Sequence, residues 1–114
     1  MRRRTSSLQC LGVDLVEYKK ARAFYARHRR RLGTYFKKAE VSFIEESLKP
    51  HEALALVLAA KEAVFKSLDR MWMGPEGFRR IAVVSRKNKK LSFLSKPALS
   101  FRKTRNYVVA ECRG

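Results

Sequence analysis

Acidic residues are scarce in this sequence. Ten aspartates and glutamates stand against 27 lysines and arginines, a formal net charge of +17 over 114 residues. So basic a chain draws polyanions, whether nucleic acid, anionic membrane, acidic protein or a phosphate-rich small molecule, and charge alone does not choose among them. Cysteine is nearly absent too. Cys10 and Cys112 have no metal-ligand spacing, which excludes a cysteine zinc motif and points to small core thiols in a reduced, cytoplasmic compartment. No apolar run is long enough to span a membrane. The start "MRRRTSSLQCLGVDLV" has only a short, interrupted apolar stretch and is a weak match to a signal peptide. Internal repeats and low-complexity linkers are lacking, as are an RNA-recognition aromatic motif and a clear helix-turn-helix. What remains is one domain over residues 1–114, with 46% hydrophobic residues to build its core.

"SLQCLGVDLVEY" has the short, β-branched character of a buried strand, interrupted by Asp14. "KKARAFYARHRRRL" predicts a basic helix with Ala21, Phe24 and Tyr25 inward and Gly33 as its stop. "KKAEVSFIEESL" predicts a second, short helix that stops near Pro50, and residues 51–69 a long one. "MGPEG" has the composition of a turn. "FRRIAVVS" and "LSFLS" form a hairpin through the polar turn "RKNKK", and "ALSFRK" and "NYVVAECR" close the chain as strands or one bent strand. A strand, then helices, then antiparallel strands predicts an α+β fold: an antiparallel sheet with one long helix and shorter helices packed on it.

The long helix carries three charges that need explaining. At 100° per residue, Leu54, Val57, Leu58, Val64, Phe65 and Leu68 share one broad arc. Glu62 and Lys66 lie at its edge beside small Ala55 and Ala59, which leave room for something to approach. Lys61 falls near the middle of the arc, where a solvated charge does not belong. Two explanations compete. Glu62 and Lys66 form an ordinary i, i+4 surface pair worth ~0.2–0.5 kcal/mol, with Lys61 snorkelling to water. Alternatively the acid is functional. Asp14 is costly to bury in an apolar strand unless something pairs with it. Its plain explanation is an N-cap or a salt bridge to Lys or Arg. Its functional one is a hard-metal site with Glu62, since Mg²⁺ is commonly held by one or two carboxylates plus water and substrate phosphates.

"GVDLVE" (12–17) followed by "EALALVLAAKEAVFKSL" (52–68) resembles the paired signature of the 4′-phosphopantetheinyl transferases, above all the small holo-acyl-carrier-protein synthase type. That family has a Gly-x-Asp strand and a helix of the form Phe/Trp-Ala-x-Lys-Glu-Ala-x-x-Lys. "KKAEVSFI" and "GFRRIAVV" resemble further family segments. The resemblance implies the family fold and a cytoplasmic enzyme of fatty acid biosynthesis. This enzyme would transfer 4′-phosphopantetheine from coenzyme A to a serine of an apo acyl carrier protein. It implies Mg²⁺ on Asp14 and Glu62, catalytic roles for Glu62 and Lys66, and phosphate contact by Lys66. The general base is left open between Glu62 and a water. It further implies an acidic carrier protein docked on the basic helix, through Lys19, Lys20, Arg22 and Arg27, and a homotrimer with coenzyme pockets shared between neighbouring subunits.

Two positions depart from the family pattern. Val57 stands where an arginine is usual, and Lys103 where a histidine is usual, with Ser100 retained before it. Coenzyme binding is therefore assigned to Lys66, Ser100, Arg102 and Lys103, with Arg105 a further cation for the 3′-phosphate, and weakened coenzyme A affinity is expected. His28 and His51 are expected to be surface residues rather than ligands, and Met71 and Trp72 packing residues. Two alternatives stand beside the transferase: a homologue of the same fold that binds its acidic partner without turnover, and a basic nucleic-acid-binding protein.

Overall fold

A computed structural model describes residues 11–68 and 74–113. The expectations for Cys10, Met71 and Trp72 lie outside them. The chain runs β1 (Leu11–Glu17), α1 (Tyr18–His28), a 3-10 turn (Arg29–Thr34), α2 (Lys38–Glu45), α3 (Pro50–Ser67) and α4 (Gly74–Arg79). It then forms β2 (Val84–Lys87), β3 (Lys90–Phe93), β4 (Ala98–Lys103) and β5 (Tyr107–Arg113). This is a small α+β fold. Its main sheet has strand order β1-β5-β4, all antiparallel, with Asp14 opposite Ala110 and Phe101 on the far side of Ala110.

Helix α3 is the hub. Ala53, Leu54, Ala55, Val57, Ala59, Ala60, Ala63 and Val64 are all buried, as expected of a helix surrounded by its own domain. It starts cleanly because Pro50 occupies its first turn, where a missing N–H costs nothing. Val108, Ala110 and Cys112 point inward from β5, so the Cys112 thiol is a small core group. The room expected beside Ala55 and Ala59 is filled by the protein itself, since both are fully buried.

Gly12 sets how close β1 comes. A Cβ on Gly12 would lie 1.9 Å from the carbonyl oxygen of Ala63 and 2.8 Å from the amide nitrogen of Ser67. Only a residue without a side chain lets strand and helix backbones meet this way.

Lys61 does not snorkel. Its ammonium is fully buried and donates to Glu40 Oε1 at 2.9 Å and to the carbonyls of Arg79 and Ile81. The Glu40 carboxylate is equally buried and also accepts the N–H groups of Lys37 and Val83, each at 2.9 Å. The rings of Phe78 and Phe36 flank the ammonium at 4.9 and 5.8 Å. Burial lowers the Lys61 pKa from its ordinary value, against the opposing pull of Glu40. Every polar atom of the pair has a partner, which is what makes so deep a charge tolerable.

Several local expectations are corrected. Helix α1 ends at His28, well before Gly33, because the chain tightens into the 3-10 turn, where Arg31 leaves helical geometry at φ −134°. The second helix ends at Glu45, and Pro50 opens the next one instead of stopping it. "GPEG" is the start of α4, with Pro75 in the first turn, where proline is at home. Phe78 and Arg79 belong to α4, so the following strand begins only at Val84. The hairpin turn is narrower than "RKNKK": Lys87 pairs with Lys90, leaving Asn88 and Lys89 at φ 50° and 65°. The β2-β3 hairpin is a sheet of its own, separate from the three-stranded one.

Candidate active site

The close approach at Gly12 carries β1 along α3 and brings three charged side chains together. Asp14 lies two residues beyond Gly12, on the same face of the strand. Its carboxylate Oδ1 accepts from Lys66 Nζ at 2.6 Å, and the same ammonium lies 3.4 Å from the Val13 carbonyl. The Asp14 side chain is 16% exposed and that of Lys66 53%, so the pair sits at a rim open to solvent. Glu62, one helical turn before Lys66, is half-buried. Its carboxyl pKa is raised, first by burial and then by the Asp14 charge, with Lys66 pulling the other way. The salt-bridge explanation of Asp14 is therefore correct as far as it goes. The i, i+4 surface pair is not: Lys66 engages Asp14 across the strand–helix contact.

The donor set suits a hard divalent cation. Two carboxylates lie close enough for one to raise the proton affinity of the other, a repulsion that a shared cation relieves. Among the described residues no group of three or more His, Cys, Asp or Glu converges, so protein carboxylates here would supply at most two ligands to such a cation. Mg²⁺ is bound in that way when water and substrate phosphate supply its other ligands.

The remaining candidates lie elsewhere. Ser100 and Arg102 line a depression of about 450 Å³ on the outer face of the sheet, with Val13, Tyr107, Val109 and Glu111. Lys103 and Arg105 line another, of about 610 Å³, with Arg22, Lys49, His51 and Tyr18. Within one chain, then, neither depression includes Asp14, Glu62 or Lys66. Val57 is buried in the core and faces neither. On α1, Lys19, Lys20, Arg22 and Arg27 are all exposed. Lys20 is 3.8 Å from Glu17, and Arg27 lines a small concavity with Arg29, Arg30 and Arg31. His28 packs on Phe24 and Tyr35, and His51 on Tyr25. Sequence reasoning missed Lys49 and Tyr18 as wall residues. The available signal was Lys49 directly before the helix-opening Pro50.

A family model for the 4′-phosphopantetheinyl transferase superfamily matches residues 10–112. The chain belongs to that superfamily. Among curated relatives, a holo-[acyl-carrier-protein] synthase of Thermus thermophilus is 38% identical over 76 residues, 60% of this chain and 61% of that protein. The synthase of Moorella thermoacetica is 39% identical over 57 residues, 50% of this chain and 44% of the relative. These matches thus span between under half and about three fifths of the relatives' length. The fold matches the crystal structure of holo-[acyl-carrier-protein] synthase from Neisseria meningitidis with a TM-score of 0.70. That match covers 92% of this chain and 96% of the other, at 23% identity. For this superfamily member, residues 10–112 matched by the family model include Asp14, Glu62 and Lys66, the side chains beside the Gly12 contact.

Proposed function

We propose that this superfamily member transfers the 4′-phosphopantetheine group of coenzyme A to a serine of an apo acyl carrier protein, in a Mg²⁺-dependent reaction in the cytoplasm. The gathering of Asp14, Glu62 and Lys66 at one solvent-open rim carries the reading. Asp14 and Glu62 would hold Mg²⁺. When bound, the cation polarises phosphoryl oxygens and offsets charge on the leaving group.

The chain's own residues do the rest. The carrier serine oxygen forms a bond to a phosphorus of the coenzyme pyrophosphate as the bond to the departing 3′,5′-ADP breaks. Lys66 supplies a point charge to the phosphate oxygens, and its flexible stem lets it exchange Asp14 for substrate. The serine proton must leave, and either Glu62 or a water held at this site would take it. Lys103, Arg105, Arg22 and Lys49 line one concavity at the start of α3, where the helix dipole also favours anions; this supports a 3′-phosphate site. The exposed cations of α1 fit an acidic carrier protein.

Assembly as a homotrimer is part of the proposal. Val13 and Leu15 are 46% and 49% exposed on the outer sheet face, beside Val109 and Tyr107. An apolar strand face of that kind favours a subunit contact. Pockets shared between neighbours would also reunite Ser100, Arg102 and Lys103 with a metal site on the next chain. Light scattering reads the assembly.

The deciding experiment mixes the protein with apo carrier protein, coenzyme A and Mg²⁺ and reads the carrier's mass. A gain of one phosphopantetheine that disappears with Asp14→Ala supports the proposal. Carrier binding with no mass gain would instead identify a partner-binding homologue.

A further inference from the structure

The β2-β3 hairpin takes no part in the site described above, yet it concentrates charge. Arg86, Lys87, Lys89 and Lys90 fall within five residues, all exposed. Two features of its tip work against stability. Lys87 and Lys90 are directly cross-strand, and like charges in that position repel. Lys89 holds φ 65° in a two-residue turn, where glycine or asparagine is favoured. Among the described residues, no carboxylate pairs with Lys87, Lys89 or Lys90. Arg86 is held at 3.1 Å by Glu46, at the end of α2. That bond puts the hairpin and the loop between α2 and α3 on one edge of the molecule. Two residues beyond Glu46 in that loop stands Leu48, which is 100% exposed.

We propose that this edge docks on an anionic phospholipid surface, with the hairpin lysines on the headgroup phosphates and Leu48 in the layer beneath. Clusters of four or more cations have the density that anionic leaflets attract, and long lysine stems reach headgroups at varied depth. A fully exposed leucine between cations gains from an acyl boundary and gains nothing from a polyphosphate backbone. The one guanidinium is engaged by Glu46 and the rest are ammonium groups. That leaves point charges without the bidentate fork used to read bases, so duplex nucleic acid is the poorer fit. The hairpin lysines lie apart from the transfer site, whereas Leu48 also lines the concavity of Lys103 and Arg105, so the lysine variant, with transfer activity assayed beside vesicle binding, keeps this surface and the proposed activity distinguishable.

The test sediments the full-length protein with vesicles of phosphatidylglycerol mixed with phosphatidylcholine, and with phosphatidylcholine alone. Binding to the anionic vesicles only is expected, falling with added salt. Lys87→Gln with Lys90→Gln should weaken it roughly thirty-fold, about fivefold per lysine. That variant removes a repulsive pair, so its melting temperature should not drop, and lost binding is then not lost folding. Leu48→Asn should weaken binding roughly tenfold at unchanged charge. Equal binding of wild type and the double-lysine variant overturns the proposal. So does equal sedimentation with both vesicle types. So too does a loss, in that variant, of affinity for a duplex oligonucleotide or a carrier protein rather than for vesicles.

Discussion

Replacing Gly12 by alanine tests the strand–helix contact on which the site depends. The added Cβ would meet the Ala63 carbonyl at 1.9 Å, where ordinary contact begins at 3.4 Å, so the backbones must part by about 1.5 Å. Both sides are main chain, inside an element on each side, and neither has a flexible end to yield. Overpacking of this kind costs about 1–3 kcal/mol, and a backbone collision belongs at the upper end. At roughly 4 °C per kcal/mol for a domain of this size, Gly12→Ala should lower Tm by about 12 °C. The surviving folded protein should also be a poor enzyme. Asp14 rides on the displaced strand while Glu62 and Lys66 stay on the helix, and a misplacement of ~1 Å costs on the order of 10²-fold in rate. Gly33→Ala is the control, because a Cβ there meets nothing within 4 Å. Thermal melts and transfer assays on both variants decide the matter. A Gly12→Ala protein with wild-type Tm and wild-type kcat/KM would refute the reasoning.

Three further outcomes are expected. Lys61→Met leaves the Glu40 carboxylate buried without its countercharge and should cost about 3–5 kcal/mol in urea unfolding. Adding Glu40→Gln should recover part of that loss, because both charges are then gone. The raised Glu62 pKa means that the folded protein holds this proton more tightly than the unfolded chain. Between the ordinary carboxyl pKa and the raised one, stability should therefore fall as pH rises. Glu62→Gln should flatten that slope in melts run with chelator while abolishing transfer, and an unchanged slope would exonerate Glu62. Lys103→Ala should weaken binding of coenzyme A several-fold and that of dephospho-coenzyme A much less, as titration calorimetry can show; equal losses would mean that Lys103 does not sense the 3′-phosphate.

The residues of the proposed site were legible because two simple periodicities carry them. Asp14 breaks an apolar strand, and Glu62 and Lys66 sit at the edge of a helical arc. Lys61 was legible as an anomaly but not as a solution. Its partner Glu40 is 21 residues away on α2, and nothing local marks that acid as buried while Glu45 and Glu46 nearby stay exposed. The role of Gly12 was hidden for the same reason: a glycine in a strand signals close approach but not to what. The helix α4 was missed because Gly and Pro within "GPEG" have turn composition, although proline in a first turn is helix-compatible. The separation of the hairpin from the main sheet depends on long-range pairing, which short apolar runs do not encode.

The burial of Lys61 bears on a neighbour it never touches. Lys61 and Glu62 are consecutive on α3, so their side chains leave the helix about 100° apart in azimuth. Half of the buried residues of α3 are alanines, whose short side chains do little to fix rotation about the helix axis. The Lys61 ammonium, fixed on one side by a carboxylate and two carbonyls, works like a key in a shaft and forbids that rotation. Glu62 and Lys66 then inherit their aim at Asp14 from a bond on another flank of the cylinder. A substitution around Glu40, Arg79 or Ile81, remote from any substrate, should thus detune the site by rotation rather than by displacement.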